Sequence, residues 1–307
     1  MTQRHDDDIS DVWLDHRPYL IDVAFRMLGN IHDAEDAVQE AFGRLLRNGL
    51  DEIDDVRGWL VVVVSRLCLD QLRSAHNRRE TSAPQPDESG PGSVSIPSVG
   101  HLDPAERVTL DESIGIAMLV VLQKLTPAER TVFVLHDVFQ FSFDTIGSIV
   151  GRTPAACRQL ASRARRHIET ETVPSRFEPG TAEQHRVAQR FIAACAGGDL
   201  NDLIELLDAD VGGDVDLGPH FPARQPLRGR TVVARGVLAR FGARTGTTLV
   251  SQPINGQPGV LAFRDRKLAG IVQLVSRDGI IVDLHAIADP DKLAFVDMEL
   301  TSMADRR

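Results

Sequence analysis

The sequence predicts two all-α domains, the second a helix-turn-helix, followed by an α+β domain with an antiparallel sheet. Three observations predict it. At 307 residues the chain has room for two typical domains or three small ones. Two breaks divide it: Thr81–Gly100 holds four Pro, three Gly and five Ser, too little apolar surface to order itself, and Thr170–Thr181 contains Pro174, Pro179 and Gly180. Apolar residues recur at a helical period before the second break and at a period near two after it. The resulting plan is a first domain at 10–80, a linker at 81–103, a second domain at 104–170, a linker at 171–182 and a third domain at 183–300.

The elements follow in order. Leu20, Val23, Ala24, Met27 and Leu28 keep i, i+3, i+4 spacing, and Gly29 stops that helix. Asp33 opens a second helix with the apolar stripe Ala34, Ala37, Val38, Ala41 and Leu45. A third runs from after Asp54-Asp55 through Trp59 to about His76; its Val61–Val64 run is β-like locally, but Leu60, Val63, Val64, Leu67 and Leu72 keep a helical rhythm. Thr126-Pro127-Ala128-Glu129 combines an N-cap, a Pro at the first helical position and a Glu at the third, a strong start signal. Ser142 caps a short helix that ends at Gly151, and Thr153-Pro154 starts another that reaches about Ile168. Two helices joined by a tight Gly-containing turn, the second one basic, are the helix-turn-helix signature. In the third domain helical patterns at Val187–Ala196 and Leu200–Leu207 precede strands at Thr247–Gln252, Val260–Phe263, Ala269–Val275 and Ile280–Ile287, with Asp278-Gly279 as a hairpin turn.

Composition narrows the function. No apolar run approaches the roughly 20 residues of a membrane helix, and the acidic N-terminus does not read as a signal peptide. Cys68, Cys157 and Cys195 are odd in number and far apart, which suggests neither a disulfide framework nor a zinc site. A soluble cytoplasmic protein is expected. The net charge of −10 is unevenly spread: residues 1–80 carry 16 acids and 10 bases, residues 173–307 carry 17 and 16, and residues 152–168 carry five Arg and no acid. A locally basic helix in an acidic chain can still bind DNA, because the local field sets the footprint.

Three constellations carry candidate chemistry. Asp36 and Glu40 share a face of the second helix beside Glu35 and Gln39, either a solvated surface with a Glu40–Arg44 pair or a docking stripe for a basic partner. On the third helix Trp59, Arg66, Asp70 and Arg73, followed by Arg78 and Arg79, fit a salt-bridged surface or the stacking and charge that hold unpaired bases. On the basic helix Cys157, Leu160, Ala161, Ala164 and Ile168 face inward, leaving Arg158, Gln159, Ser162, Arg163 and Arg166 outward. Arg and Gln suit base edges, and further Arg suits phosphates.

These residues resemble a known family. Asp33–Phe42 looks like the core-polymerase-binding helix of extracytoplasmic-function (ECF) sigma factors. Gly58-Trp59-Leu60, Arg66–Arg73 and Arg78-Arg79-Glu80 resemble the promoter-melting and minus-ten-reading part of the same sigma region two. Leu125–Phe133 through Arg163-Ala164-Arg165 is similar to sigma region four, the minus-thirty-five reader. Asn255–Pro258, Asp278-Gly279 and Asp289–Leu293 look like the SnoaL-like, NTF2-fold extension of actinobacterial sigma factors of the I/J type. The resemblance implies a cone with a curved antiparallel sheet for that extension. It implies core RNA polymerase as partner, through the clamp helices of its beta-prime subunit, met by Glu35, Asp36, Gln39 and Glu40. It implies promoter DNA held by Trp59, Arg66, Arg73, Arg78 and Arg79 at the minus-ten element and by Thr153, Arg158, Gln159, Ser162, Arg163 and Arg166 at the minus-thirty-five element. Asp289, Pro290, Asp291, Lys292 and Leu293 are expected to carry regulation in cis, without cofactor or metal. An unidentified small ligand of the SnoaL-like domain stays open.

Two other function classes compete. A helix-turn-helix regulator with a ligand-sensing NTF2-like domain would need neither the acidic helix nor the Trp59–Arg79 helix. An enzyme in the third domain would need a positioned base and an oxyanion donor. Asp283 and His285 share a strand face and Asp216 is another candidate base, but the single Tyr of the chain, Tyr19, lies outside that domain. No catalysis is expected.

Overall fold

Helix α1 (Thr2–Leu28) crosses α2 (Ile31–Asn48) and α3 (Val56–Thr81) in the first domain. The structure is a computed structural model that describes residues 2–49, 53–81, 122, 124–170, 182–218, 225–254 and 256–305. The expected linkers at 81–103 and 171–182, and the start of the second domain, therefore lie almost wholly outside the described residues. Asn30 caps α2 by accepting from the His32 N–H at 2.7 Å, and Gly49, at φ +80°, ends it. The predicted stripes of α1 and α2 are buried without exception. On α3 the valine run is helical, but the buried face is Leu60, Val61, Val64, Cys68, Leu69 and Leu72, turned slightly from the expected one, with Val63 and Leu67 half-buried.

In the second domain α4 (Pro127–Phe133) opens on the expected capping box between Thr126 and Glu129 and continues as a π-helical turn, Val134–Val138. Helix α5 (Phe143–Val150) is capped by Ser142 and ends at Gly151 in the left-handed region. Helix α6 (Pro154–Thr170) follows at once, its first turn capped by the Thr153 hydroxyl, which accepts from the Ala156 N–H at 3.2 Å. The turn is tight enough that a Cβ on Gly147 would stand 2.7 Å from the Arg152 carbonyl oxygen, which is why glycine is required there.

The third domain contains α7 (Ala182–Gly197), α8 (Leu200–Leu206), β1 (Leu207–Asp216), β2 (Leu227–Arg228), α9 (Arg230–Phe241), β3 (Thr247–Ser251), β4 (Gly259–Arg264), β5 (Lys267–Arg277), β6 (Ile280–Ile287) and α10 (Pro290–Asp305). The four predicted strands are present. The sheet has six strands in the order β2-β1-β6-β5-β4-β3, and it is mixed rather than antiparallel, because β1 runs parallel to β6. After β1 the chain crosses by α9 to the far edge and returns by hairpins, so β6 arrives beside β1 pointing the same way. Helices α7, α8 and α9 fill one face with Val187, Phe191, Leu203, Val233 and Val237 against Val260, Val272 and Leu284.

The other face of that sheet is also covered. Val250, Leu261, Phe263 and Ile271 join one apolar cluster with Leu20, Phe25 and Met27 of α1, and the rings of Phe25 and Phe263 lie 5.7 Å apart. The third domain is thus docked on the first through the second face of its sheet.

Candidate functional site

Glu35, Asp36, Gln39 and Glu40 stand on the solvent side of α2, because Ala34, Ala37, Val38 and Ala41 take the buried side. The stripe is compensated beyond the Glu40–Arg44 pair that the sequence offered. Arg266, in the two-residue turn between β4 and β5, donates from Nε to Glu35 at 3.0 Å and from Nη2 to Asp36 at 2.6 Å. The same Glu35 accepts from Arg17 at 2.9 Å and from the Thr248 hydroxyl of β3 at 3.0 Å. Glu40 pairs with Arg44 and Arg47 of its own helix, which holds its carboxyl below the ordinary carboxylate range. Gln39 is exposed.

Beneath this rim is a buried polar clasp. Asp22 of α1 accepts the Ser251 N–H at 2.8 Å and a hydrogen bond from Gln189 of α7. One turn on, Arg26 donates to the Ser251 carbonyl at 2.7 Å and to its hydroxyl at 2.8 Å. The pair thus grips the end of β3 from both sides. His185 of α7 completes it, with Nδ1 3.1 Å from the Ser251 hydroxyl and its ring edge-on to Phe139. Burial pushes the Asp22 carboxyl up to about 6, although Arg26 and Ser251 oppose the shift. Burial, helped by the Arg26 charge, pushes His185 down to about 3.

These two shifts have opposite consequences for docking. His185 is held neutral, so its contribution is complete above 6.5 and is lost as pH falls toward 3. Asp22 takes up a proton more readily when docked than when free, so its contribution grows as pH falls through 6 toward 3.8. The wild-type chain should therefore show docking nearly independent of pH between 6 and 4. His185→Asn should dock more firmly on acidification and Asp22→Asn less firmly. Small-angle scattering of the three proteins across that range checks the signs, and parallel profiles for all three would refute the assignment.

The DNA-reading candidates fall into two groups. On α6, Arg158, Gln159, Ser162, Arg163 and Arg166 are exposed, while Cys157, Ala161 and Ala164 are buried. Arg158 lies over the Phe143 ring at 5.4 Å, and Arg165 is held by Asp137 at 2.7 Å. Thr153 serves as the helix cap. On α3, Arg66 donates to the Ser148 carbonyl at 2.8 Å and Arg73 to the Val150 carbonyl at 3.4 Å. Both acceptors are late carbonyls of α5, where cations are favoured. The two α-helical domains are therefore in contact through residues expected at the minus-ten element. Trp59 is half-buried against the core and Arg78 is exposed; the Arg79 side chain lies outside the described residues.

The polar side chains of the expected regulatory segment bond within their own domain, and Leu293 belongs to the apolar cluster that also holds Leu20 and Phe25 of α1. Asp289 is buried and caps α10 by accepting the Asp291 N–H at 3.0 Å, Lys292 donates to Asp216 at 2.9 Å, and Leu293 is buried. Pro290 begins α10, a helix the sequence reading did not anticipate. Gln189, Thr248, Ser251 and Arg266 hydrogen-bond to side chains of the first domain, and sequence reasoning singled out none of them. Asp283 and His285 come together with Asp214 on an exposed strand surface, the one grouping of potential metal ligands among the described residues. All three cysteines are free and buried.

Comparison with known proteins decides the family. Residues 12–79 match the description Sigma-70 region 2, and residues 116–168 match Sigma-70, region 4. The chain is 45% identical over 292 residues to the probable ECF RNA polymerase sigma factor SigI of Mycobacterium tuberculosis, covering 94% of this chain and 95% of the relative. The chain belongs to the ECF sigma factor family. It is also 37% identical to the ECF RNA polymerase sigma factor SigJ of the same organism, over 90% of each chain. The crystal structure of that bacterium's extracytoplasmic function sigma factor SigJ aligns at 31% identity over 93% of this chain and 98% of that one, with a TM-score of 0.37. As a sigma factor the protein acts in transcription initiation, and sigma factors bind core RNA polymerase and promoter DNA. No helix among the described residues is long and apolar enough to cross a membrane.

Proposed function

We propose that this ECF sigma factor is a non-catalytic, cytoplasmic initiation subunit whose C-terminal domain inhibits it in cis by covering the polymerase-binding helix. The observation that carries this reading is the pairing of Glu35 and Asp36 with Arg266. A basic side chain of the third domain occupies the acidic residues that the family position assigns to the clamp helices of core polymerase. Arg266 and the clamp helices would then compete for one stripe made of Glu35, Asp36, Gln39 and Glu40. The contact of Arg66 and Arg73 with α5 supports the same reading, since it joins two domains that must separate to reach two promoter elements. In the open state Trp59, Arg66, Arg73, Arg78 and Arg79 hold the melted strand. Arg158, Gln159 and Ser162 touch bases, with Arg163 and Arg166 on phosphates and Thr153 at the helix start.

Reversing Asp36 and Glu40 to Lys tests the docking face. Co-purification with core polymerase should be lost while helicity is kept; unchanged binding would show that α2 is not the docking helix. On DNA, Arg158→Ala should cost about 1–3 kcal/mol and relax specificity at one position, whereas Arg166→Ala should weaken all sequences alike and reduce the salt slope by about one. Binding titrations on a set of single-base promoter variants separate the two outcomes.

A further inference from the structure

Between α9 and the sheet, the C-terminal domain contains a cavity of about 220 Å³. Val233, Val237 and Phe241 of α9 form one wall, and Val272, Leu284 and Ala286 form the other. Two strand glycines keep the volume open. A Cβ on Gly213 would stand 3.7 Å from the Val233 methyls, and one on Gly270 would stand 3.8 Å from the Ala262 Cβ and 3.9 Å from the Phe241 ring. Both are ordinary contact distances, and neither glycine has a positive φ. Nothing in the backbone calls for glycine at these two positions, and glycine weakens a strand interior. Side chains there would fill the space, and an apolar void left empty is destabilising.

Part of the lining is cationic. Arg240 and Arg264 line it together with Thr247. Arg264 donates to the Thr247 hydroxyl at 3.1 Å and to the Arg240 carbonyl at 3.3 Å, and Arg240 donates to the Gly236 carbonyl at 3.0 Å. These acceptors are neutral, and neither guanidinium has a carboxylate partner among the described residues. The one acidic residue on the wall, Asp214, is engaged by His285. An apolar chamber with two arginines on its lining is complementary to an amphiphile with an anionic head, because guanidinium groups bind carboxylates through short, charge-assisted hydrogen bonds.

We propose that this cavity is a binding site for an apolar monocarboxylic acid, with the hydrocarbon against α9 and the carboxylate against Arg240 and Arg264. The site is separate from the α2 stripe, so it stands or falls independently of the inhibition proposed above.

Calorimetric titration of the full-length protein with decanoate, decanol and decylamine tests it. Decanoate should bind saturably at one site, and decanol and decylamine should bind at least about tenfold more weakly. Gly270→Leu, which fills the chamber, should weaken decanoate by more than about tenfold while the protein still melts cooperatively. Gly213→Val, which reaches into the same volume from β1, carries the same expectation if the leucine variant does not fold. The double change Arg240→Gln, Arg264→Gln should bring decanoate down to the affinity of decanol. Absence of saturable decanoate binding, unaltered binding by a folded cavity-filling variant, or equal binding of decanoate and decylamine would each overturn the proposal.

Discussion

Arg266→Gly should bind core polymerase more tightly than the wild-type chain while its C-terminal domain stays folded. The turn explains why both halves hold. Asp265 and Arg266 lie at φ +49° and +63° between the paired residues Arg264 and Lys267, the two-residue geometry in which both central residues are left-handed. Glycine is the favoured second residue of such a turn, and an arginine there costs about 1 kcal/mol or more in backbone strain. Glycine at 266 therefore relieves the turn and removes the guanidinium from α2. Asp36 is 59% exposed, so its ion pair alone is worth under about 1 kcal/mol. Glu35 is 18% exposed and shared between Arg17 and Arg266, and the small network is worth about 1–2 kcal/mol, roughly five- to thirtyfold in affinity. Arg266→Glu should act in the same direction and further, because it places a like charge against Glu35. Equilibrium titration of labelled core polymerase with the three proteins measures it. Equal affinities would remove Arg266 from the inhibitory contact.

A larger effect is expected below the rim. Asp22→Ala leaves Arg26 buried without its carboxylate and deprives the Ser251 N–H of its acceptor. Breaking a buried pair from one side costs about 3–5 kcal/mol. Here the cost has a ceiling, since undocking returns Arg26 to water and cancels the penalty. The variant should thus release the third domain rather than unfold the first. Scattering should show a larger radius of gyration, and calorimetry should show two transitions in place of one. A single transition at the wild-type temperature would mean that the clasp contributes little to docking.

Much of this architecture was legible in the sequence, and the misses have physical reasons. Thr126–Glu129, Ser142 and the Gly151–Pro154 turn are local chemistry, and each cap formed where the pattern put it. Strand β1 was missed because Leu207–Asp216 holds four Asp and two Gly against two Val, and only its place beside β6 makes it a strand. Helix α9 was missed because apolar and charged residues are spread around it rather than striped. The docking face did leave a trace: Gly259–Phe263 is an unbroken run of non-polar residues, all buried, as expected of a strand covered on both sides. A period near two implies one buried face, whereas this run is buried on both. Arg266 and Ser251 left no such trace. Their partners lie more than two hundred positions away, at separations that no local pattern encodes.

The central claim is that the C-terminal domain and core polymerase compete for α2. Because Cys68, Cys157 and Cys195 are buried, dyes can be placed selectively on Leu46→Cys of α2 and Lys267→Cys beside the β4–β5 turn, both exposed positions. Energy transfer between them in the otherwise intact chain should be high in the free protein and fall as core polymerase is added, along the same isotherm as polymerase binding. Transfer that stays high in the fully polymerase-bound chain would contradict the account.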